Sequence, residues 1–104
     1  MSNLSIQTFL TEEITDSLWS SYLKNFNSVF QKSFDLKNFK NKYNSCLNNS
    51  YHSFLINNSE DVVAATSIIP MDYKIDKKKI IVGLVVDLFV KKEFRKDPLI
   101  ILKL

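Results

Sequence analysis

The chain has 104 residues and a mass of 12.1 kDa, one domain's worth and long enough to bury a core without disulfides or metals. Hydrophobic residues at 45% and charged residues at 24% exclude wholesale disorder, and no apolar run approaches the ~20 residues of a membrane span or follows a basic leader. A small, lysine-weighted net charge of +3 does not by itself argue for nucleic acid, and a single cysteine excludes an internal disulfide, argues against a thiolate zinc site and predicts a cytoplasmic protein.

Ser5 to Leu10 alternates polar and apolar residues, with Ile6, Thr8 and Leu10 in phase, as a short edge strand does. Thr11 reads as an N-cap ahead of Glu12 and Glu13, whose acids suit the positive end of a helix. Ile14, Leu18, Tyr22, Phe26 and Val29 then recur at spacings of three and four, widened by Trp19, Leu23 and Phe30. That predicts an amphipathic helix to about Lys32. Trp19, Tyr22 and Phe26 read as core rather than as a ligand cage. Asp35 is a second N-cap, and Leu36, Phe39, Tyr43 and Leu47 mark a shorter helix closing near Asn48 and Asn49. Cys46 on that helix reads as a small buried hydrophobe.

The period changes after residue 50. Tyr51–Ile56 is a strand in which His52 reads as half-exposed, and Asn57–Asp61 is a hairpin turn built on left-handed-tolerant asparagine. Val62–Pro70 is the return strand, continuing through Tyr73 and Ile75 with a bend expected at Pro70. Asp76–Lys79 is a solvated lysine turn, and Lys91–Lys92 is a second solvated pair. Ile80–Val90 is almost continuously apolar, which predicts a central strand covered on both faces. Asp97–Pro98 is a strong helix start, and only Leu99–Leu104 follow it. There are no repeats or linkers, so residues 1–104 read as one α+β domain. A single glycine excludes the G-x-G-x-x-G and Walker-type phosphate loops outright.

The stretch Val86-Asp87-Leu88-Phe89-Val90-Lys91-Lys92-Glu93-Phe94-Arg95 resembles the strand-to-helix motif of the GCN5-related N-acetyltransferase (GNAT) superfamily. In those proteins a strand ending like E-D-L-F-V leads into x-P-E-Y-R-G-x-G-I-G. The resemblance implies a mixed sheet in the order β-α-α-β-β-β-α, with this chain as the N-terminal portion of the fold, cut at its third helix. It implies acetyl-CoA as cofactor, with Leu88, Phe89 and Val90 pairing the pantetheine arm as an added strand does. Arg95, Lys96, Asp97, Pro98, Leu99 and Ile100 fall on the pyrophosphate loop, where backbone N–H groups at a helix start bind the anion. Here the sequence departs from the pattern: Pro98 and Ile100 stand at the two glycine positions, Lys96 follows the arginine, and Asp97 adds a carboxylate. Proline has no N–H to give, so weak acetyl-CoA binding is expected.

Asp87 carries two readings. By resemblance it is the base that deprotonates the attacking amine; otherwise it pairs with a hydroxyl of a neighbouring strand or caps a splayed edge. The family's first two helices border the acceptor cleft. The implied function is acyl-CoA-dependent transfer to a small-molecule or peptide amine. The alternative is a non-catalytic GNAT-derived module for binding or dimerisation, and self-association or a completing C-terminal segment is expected, with no nucleic-acid or membrane partner. The architecture itself is testable: Ile80–Val90 is expected at the buried centre of the sheet, flanked by Val62–Ile69 and covered by the Ile14–Phe30 helix. A structure with Ile80–Val90 helical, or at an exposed edge of the sheet, would overturn the resemblance.

Overall fold

Strand β1 (Ser5–Leu10), helix α1 (Asp16–Phe30), helix α2 (Leu36–Asn41) and strands β2 (Tyr51–Ile56), β3 (Val62–Ile75) and β4 (Lys78–Val90) follow one another in the computed structural model. It describes residues 4–43 and 49–95. Single 3-10 turns lie at Thr11–Glu13 and Lys92–Phe94. The sheet order is β1-β2-β3-β4 and every pairing is antiparallel, so the described sheet is not mixed as expected. No described residue forms the expected third helix; Lys96 to Leu104 lie outside the described residues, as do Cys46 and Leu47.

Thr11 does not cap α1. Its segment forms a separate 3-10 turn, in which the Glu13 carboxylate accepts from the Leu10 N–H at 2.7 Å. Burial of Ile14 then redirects the chain, and Thr15 is the cap, its hydroxyl accepting from the Leu18 N–H at 3.3 Å. Gln31 closes the helix in the left-handed region at φ 53°. Asp35 caps α2 as read, accepting from the Asn38 N–H at 2.8 Å. In the β2–β3 turn the left-handed residue is Glu60 (φ 58°). Asn57 acts instead as an acceptor, its side-chain oxygen taking the N–H groups of Ser59 and Asp61.

The core lies on one face of the sheet. Leu18, Trp19, Tyr22 and Phe26 of α1, with Phe39 and Tyr43, pack on Phe54, Ile56, Val62, Ala65 and Phe89. Trp19, Tyr22 and Phe26 are therefore core, as their spacing indicates. A smaller cluster of Leu55, Val63, Ala64 and Val90, with Leu4 and Phe94, occupies the other face.

The expectation for Ile80–Val90 is overturned. β4 is an edge strand among the described residues, paired with β3 alone, and Ile81 and Val85 are 69% and 61% exposed. β2 ends opposite Ile68, so beyond that point β3 and β4 run on as a two-stranded arm past the cover of the helices. The arm gives the molecule its long dimension, 52 Å against 30 and 25 Å. β3 passes Pro70 without breaking and pairs it with Gly83. Gly83 leaves room for Ile68, whose Cγ2 would stand 2.7 Å from a Cβ placed there. The arm closes on Asp76 and Lys77, both left-handed at φ 50° and 65°. Lys78 and Lys79 thus belong to β4, not to the turn.

Candidate functional site

Where β4 returns to the helix-covered end of the sheet, its pairing with β3 slips by one residue. Ser67 faces Val86 and Ala65 faces Phe89, so Asp87 and Leu88 together oppose Thr66. This is a β-bulge, which re-aims side chains and sharpens the local bend. It sets Val86 and Phe89 on the same apolar core and holds Asp87 in the left-handed region at φ 56°. Aspartate tolerates that conformation better than the β-branched residues around it.

The bulge turns the Asp87 carboxylate toward the helices. Tyr43 OH donates to its Oδ2 at 2.5 Å, and Lys42 Nζ lies 2.8 Å from the same oxygen. The hydroxyl partner foreseen for Asp87 is thus present, but it comes from the turn after α2 rather than from a strand. The Lys42 ammonium is also walled by rings, 4.2 Å from the centroid of Phe26 and 4.8 Å from that of Phe39. A cleft of about 450 Å³ opens beside it, lined by Phe26, Phe30, Phe34, Leu88, Asp87 and two lysines, Lys32 and Lys42.

Behind Asp87 the polar contacts continue inward. Tyr43 OH lies 2.6 Å from Tyr22 OH, Tyr22 OH 3.0 Å from Ser67 Oγ, and Ser67 Oγ 2.8 Å from His52 Nδ1. His52 Nε2 in turn lies 3.0 Å from Thr11 Oγ1. Tyr22, Tyr43, Ser67 and His52 are fully buried. The half-exposed reading of His52 is therefore corrected: the β2–β1 and β2–β3 registers turn it under Trp19 and Tyr43. Burial lowers its pKa to about 4, against a smaller upward pull from the Asp87 charge, so the ring is neutral near pH 7. Burial likewise pushes the Tyr22 and Tyr43 phenols above their ordinary range, which keeps both protonated.

Leu88, Phe89 and Val90, read as the cofactor-pairing strand, lie directly beyond the bulge. Phe89 and Val90 are buried and Leu88 is 44% exposed. Arg95 Nε donates to the Val90 carbonyl at 2.7 Å, so the guanidinium lies against the strand end. Lys91, Lys92 and Arg95 line a second cleft of about 330 Å³ with Glu93 and the α1 residues Asn25, Ser28 and Val29. Lys91 is not simply solvated, since its ammonium pairs with Asp61 at 3.3 Å. Burial pushes the Asp61 pKa up, but hydrogen bonds from Ser21, Asn25 and Lys91 together outweigh it and the net shift is downward. Lys96, Asp97, Pro98, Leu99 and Ile100 lie outside the described residues.

Lys42, Tyr43, Tyr22, Ser67 and His52 were not read from sequence as one constellation. The signal for them was the placement of hydroxyls in apolar phase, Tyr22 and Tyr43 on the helical stripe and Ser67 inside a strand, since a buried Tyr or Ser must find a partner. Among the described residues no group of three or more metal-ligating side chains occurs. Among them, too, no helix is long and apolar enough to cross a membrane.

An antiparallel sheet with two helices on one face and a bulged strand leading into a basic turn is an α+β arrangement with parallels among solved structures. An acetyltransferase of the GNAT family from Staphylococcus aureus Mu50 aligns with 96% of this chain at a TM-score of 0.59 and 21% identity. The chain spans 61% of that structure's length. No protein-family profile matches, and no curated protein matches. At this identity the likeness is one of fold: the described residues form a GNAT-like α+β unit. The edge position of β4 was the outcome set against the resemblance, and the likeness of fold stands beside it. The mistaken step was to place Ile80–Val90 at the buried centre of the sheet; among the described residues β4 is its edge.

Proposed function

We propose that this chain carries the acceptor side of an acyl-CoA-dependent N-acyltransferase site acting on a primary alkylamine, small-molecule or peptidyl. One observation carries the reading. The bulge presents an Asp87 carboxylate at the mouth of an aromatic-walled cleft, and the group it pairs with there is the alkylammonium of Lys42. A substrate ammonium that competes for that place meets a carboxylate able to take its proton, the step a positioned base speeds by roughly 10²–10⁴-fold. The aromatic walls favour a cation on an aliphatic arm. The GNAT-like fold supports the same reading at the level of architecture.

Acetyl-CoA, when bound, supplies the activated thioester. The described residues fit such a group in charge, with Lys92 and Arg95 bordering the cleft beside the strand end. To reach a phosphate, Arg95 exchanges its bond to the Val90 carbonyl. Residues Leu88–Val90 and the Arg95–Ile100 loop are the proposed cofactor side. The second reading, a non-catalytic binding module, is favoured by Pro98, Ile100 and Asp97 at the loop positions that should donate N–H groups.

Calorimetric titration of acetyl-CoA separates the two. Weak binding is expected, lowered about tenfold or more in Arg95→Ala, because a charge-assisted hydrogen bond contributes roughly 1.5–3 kcal/mol. Asp97→Asn combined with Pro98→Gly should tighten it. Acetyl transfer to a panel of alkylamines, lost in Asp87→Asn while acetyl-CoA still binds, identifies the base. Absence of binding in the wild type and in the loop variant favours the non-catalytic module.

A further inference from the structure

Six side chains join into one hydrogen-bonded line through the core: Asp87, Tyr43, Tyr22, Ser67, His52 and Thr11. One end opens on the cleft at Asp87. The other reaches Thr11, a partly exposed residue just after β1 at the opposite edge of the sheet. Each interior link is 2.6–3.0 Å, and every interior member can both give and accept a proton. Among the described residues no buried side-chain polar atom is without a partner.

The protons on this line have two complete arrangements. An ionised carboxylate only accepts, so Tyr43 donates to Asp87, Tyr22 to Tyr43, Ser67 to Tyr22 and His52 Nδ1–H to Ser67. His52 Nε2 then accepts from Thr11. In the reverse arrangement every donor becomes an acceptor, and His52 carries its proton on Nε2 and donates to Thr11. The Thr11 hydroxyl has a second acceptor for that case, the Ser50 carbonyl at 3.2 Å, while the Ser50 N–H donates to its oxygen at 2.9 Å. Both arrangements therefore leave no member of the line unsatisfied.

We propose that this line is a proton relay that empties Asp87 toward Thr11. In the reverse arrangement a protonated Asp87 gives its proton to Tyr43 as Tyr43 gives its own to Tyr22, Tyr22 to Ser67 and Ser67 to His52 Nδ1. The Nε2 proton leaves by way of Thr11 to water. One proton enters at the carboxylate, one leaves at the far end, no heavy-atom bond changes, and Asp87 is again ionised. The line resets when the hydroxyls rotate and His52, on transient opening of the core, gives its Nδ1 proton to water and takes one from water on Nε2, with no net transfer. Tyr22, Tyr43, Ser67 and His52 are positioning residues in this scheme, acting through Asp87. The use of the relay in acyl transfer rests on the function proposed above; its existence does not.

The chain's single histidine makes the test direct. Nitrogen-15 NMR of the full chain at pH 7 is expected to show His52 protonated on Nδ1. In Asp87→Asn the Lys42 ammonium, which only donates, claims the amide oxygen and leaves the N–H₂ to face Tyr43, so the line should invert and the proton move to Nε2 four hydrogen bonds away. Tyr43→Phe and, as a second break, Ser67→Ala should each disconnect the ring, so that adding Asp87→Asn to either no longer changes the tautomer. An unchanged tautomer in a folded Asp87→Asn chain, or an inversion that persists through both breaks, overturns the relay. Because the measurement needs neither acetyl-CoA nor turnover, a failed acyl-transfer assay leaves it intact, and a failed inversion leaves the acyl-transfer reading intact.

Discussion

The neutral state of His52 makes stability depend on pH in a defined direction. Its folded pKa, about 4, lies below its ordinary value of 6.5 because the ring is buried. Above pH 6.5 the ring is neutral in both states and contributes no slope. Between 6.5 and about 4 the unfolded chain binds a proton that the folded chain refuses, so stability falls as pH falls and levels off below 4. The full loss is on the order of 3 kcal/mol. Urea unfolding from pH 7 to 4 should show this slope in the wild type and its removal in His52→Gln, with shared carboxylate titrations cancelling in the difference. Equal slopes would mean that the ring charges in the folded state. The ring's burial was not legible in the sequence: Tyr51, His52 and Ser53 alternate in a way that fits either face outward. Tyr22 and Tyr43 were legible as core because their spacing is helical, but which hydroxyl each would meet depends on the β3–β4 register. Asp87 was legible as a site by its isolation among apolar residues, whereas Lys42, one of several lysines beside the apolar stripe of the second helix, was not.

At the level of elements, β1, β2, the long helix and the Asp35 cap were legible because each carries a local signal, a period or a capping side chain. The β-bulges were not. A bulge is a property of two strands at once, and nothing in Val86–Val90 alone says that Thr66 will face two residues. The arm's turn is a related case. A two-residue hairpin needs left-handed backbone at both positions, the geometry that favours Asn-Gly or Gly-Gly; here Asp76 and Lys77 adopt it. Lysine carries a penalty there of roughly 1–2 kcal/mol, offset in glycine by a greater loss of backbone freedom. Lys77→Gly is therefore expected to raise stability by on the order of 1 kcal/mol, while Lys79→Gly, inside β4, should lower it. Urea midpoints at unchanged m-value test the pair. A destabilised Lys77→Gly would mean that the lysine side chain, not its backbone, holds the turn.

For the molecule as a whole, the decisive feature is the outer edge of β4. Pro70 has no N–H, so its pairing with Gly83 must be one of the non-hydrogen-bonded pairs of the ladder. It follows that Lys79, Ile81, Gly83 and Val85 turn their N–H and C=O groups outward, where no described strand pairs with them. An apolar strand edge of this length is a template for another chain. It is also self-complementary. Two copies meeting antiparallel about Val82 set Ile81 of one opposite Gly83 of the other, and Lys79 opposite Val85, so all four outward residues of each find partners. Ile80 to Val86 contains no charge to oppose the approach, and both faces of the arm carry exposed apolar residues to bury. Concentration-dependent dimers are therefore expected in sedimentation velocity, and Ile81→Lys with Val85→Lys should return the chain to monomer by placing repelling charges on the joined face. Neither site touches the buried core, so the variant's circular dichroism should match the wild type. A wild-type chain that remains monomeric at high concentration would show that β4 does not pair with a second copy. The same edge would then be open to a strand of different sequence.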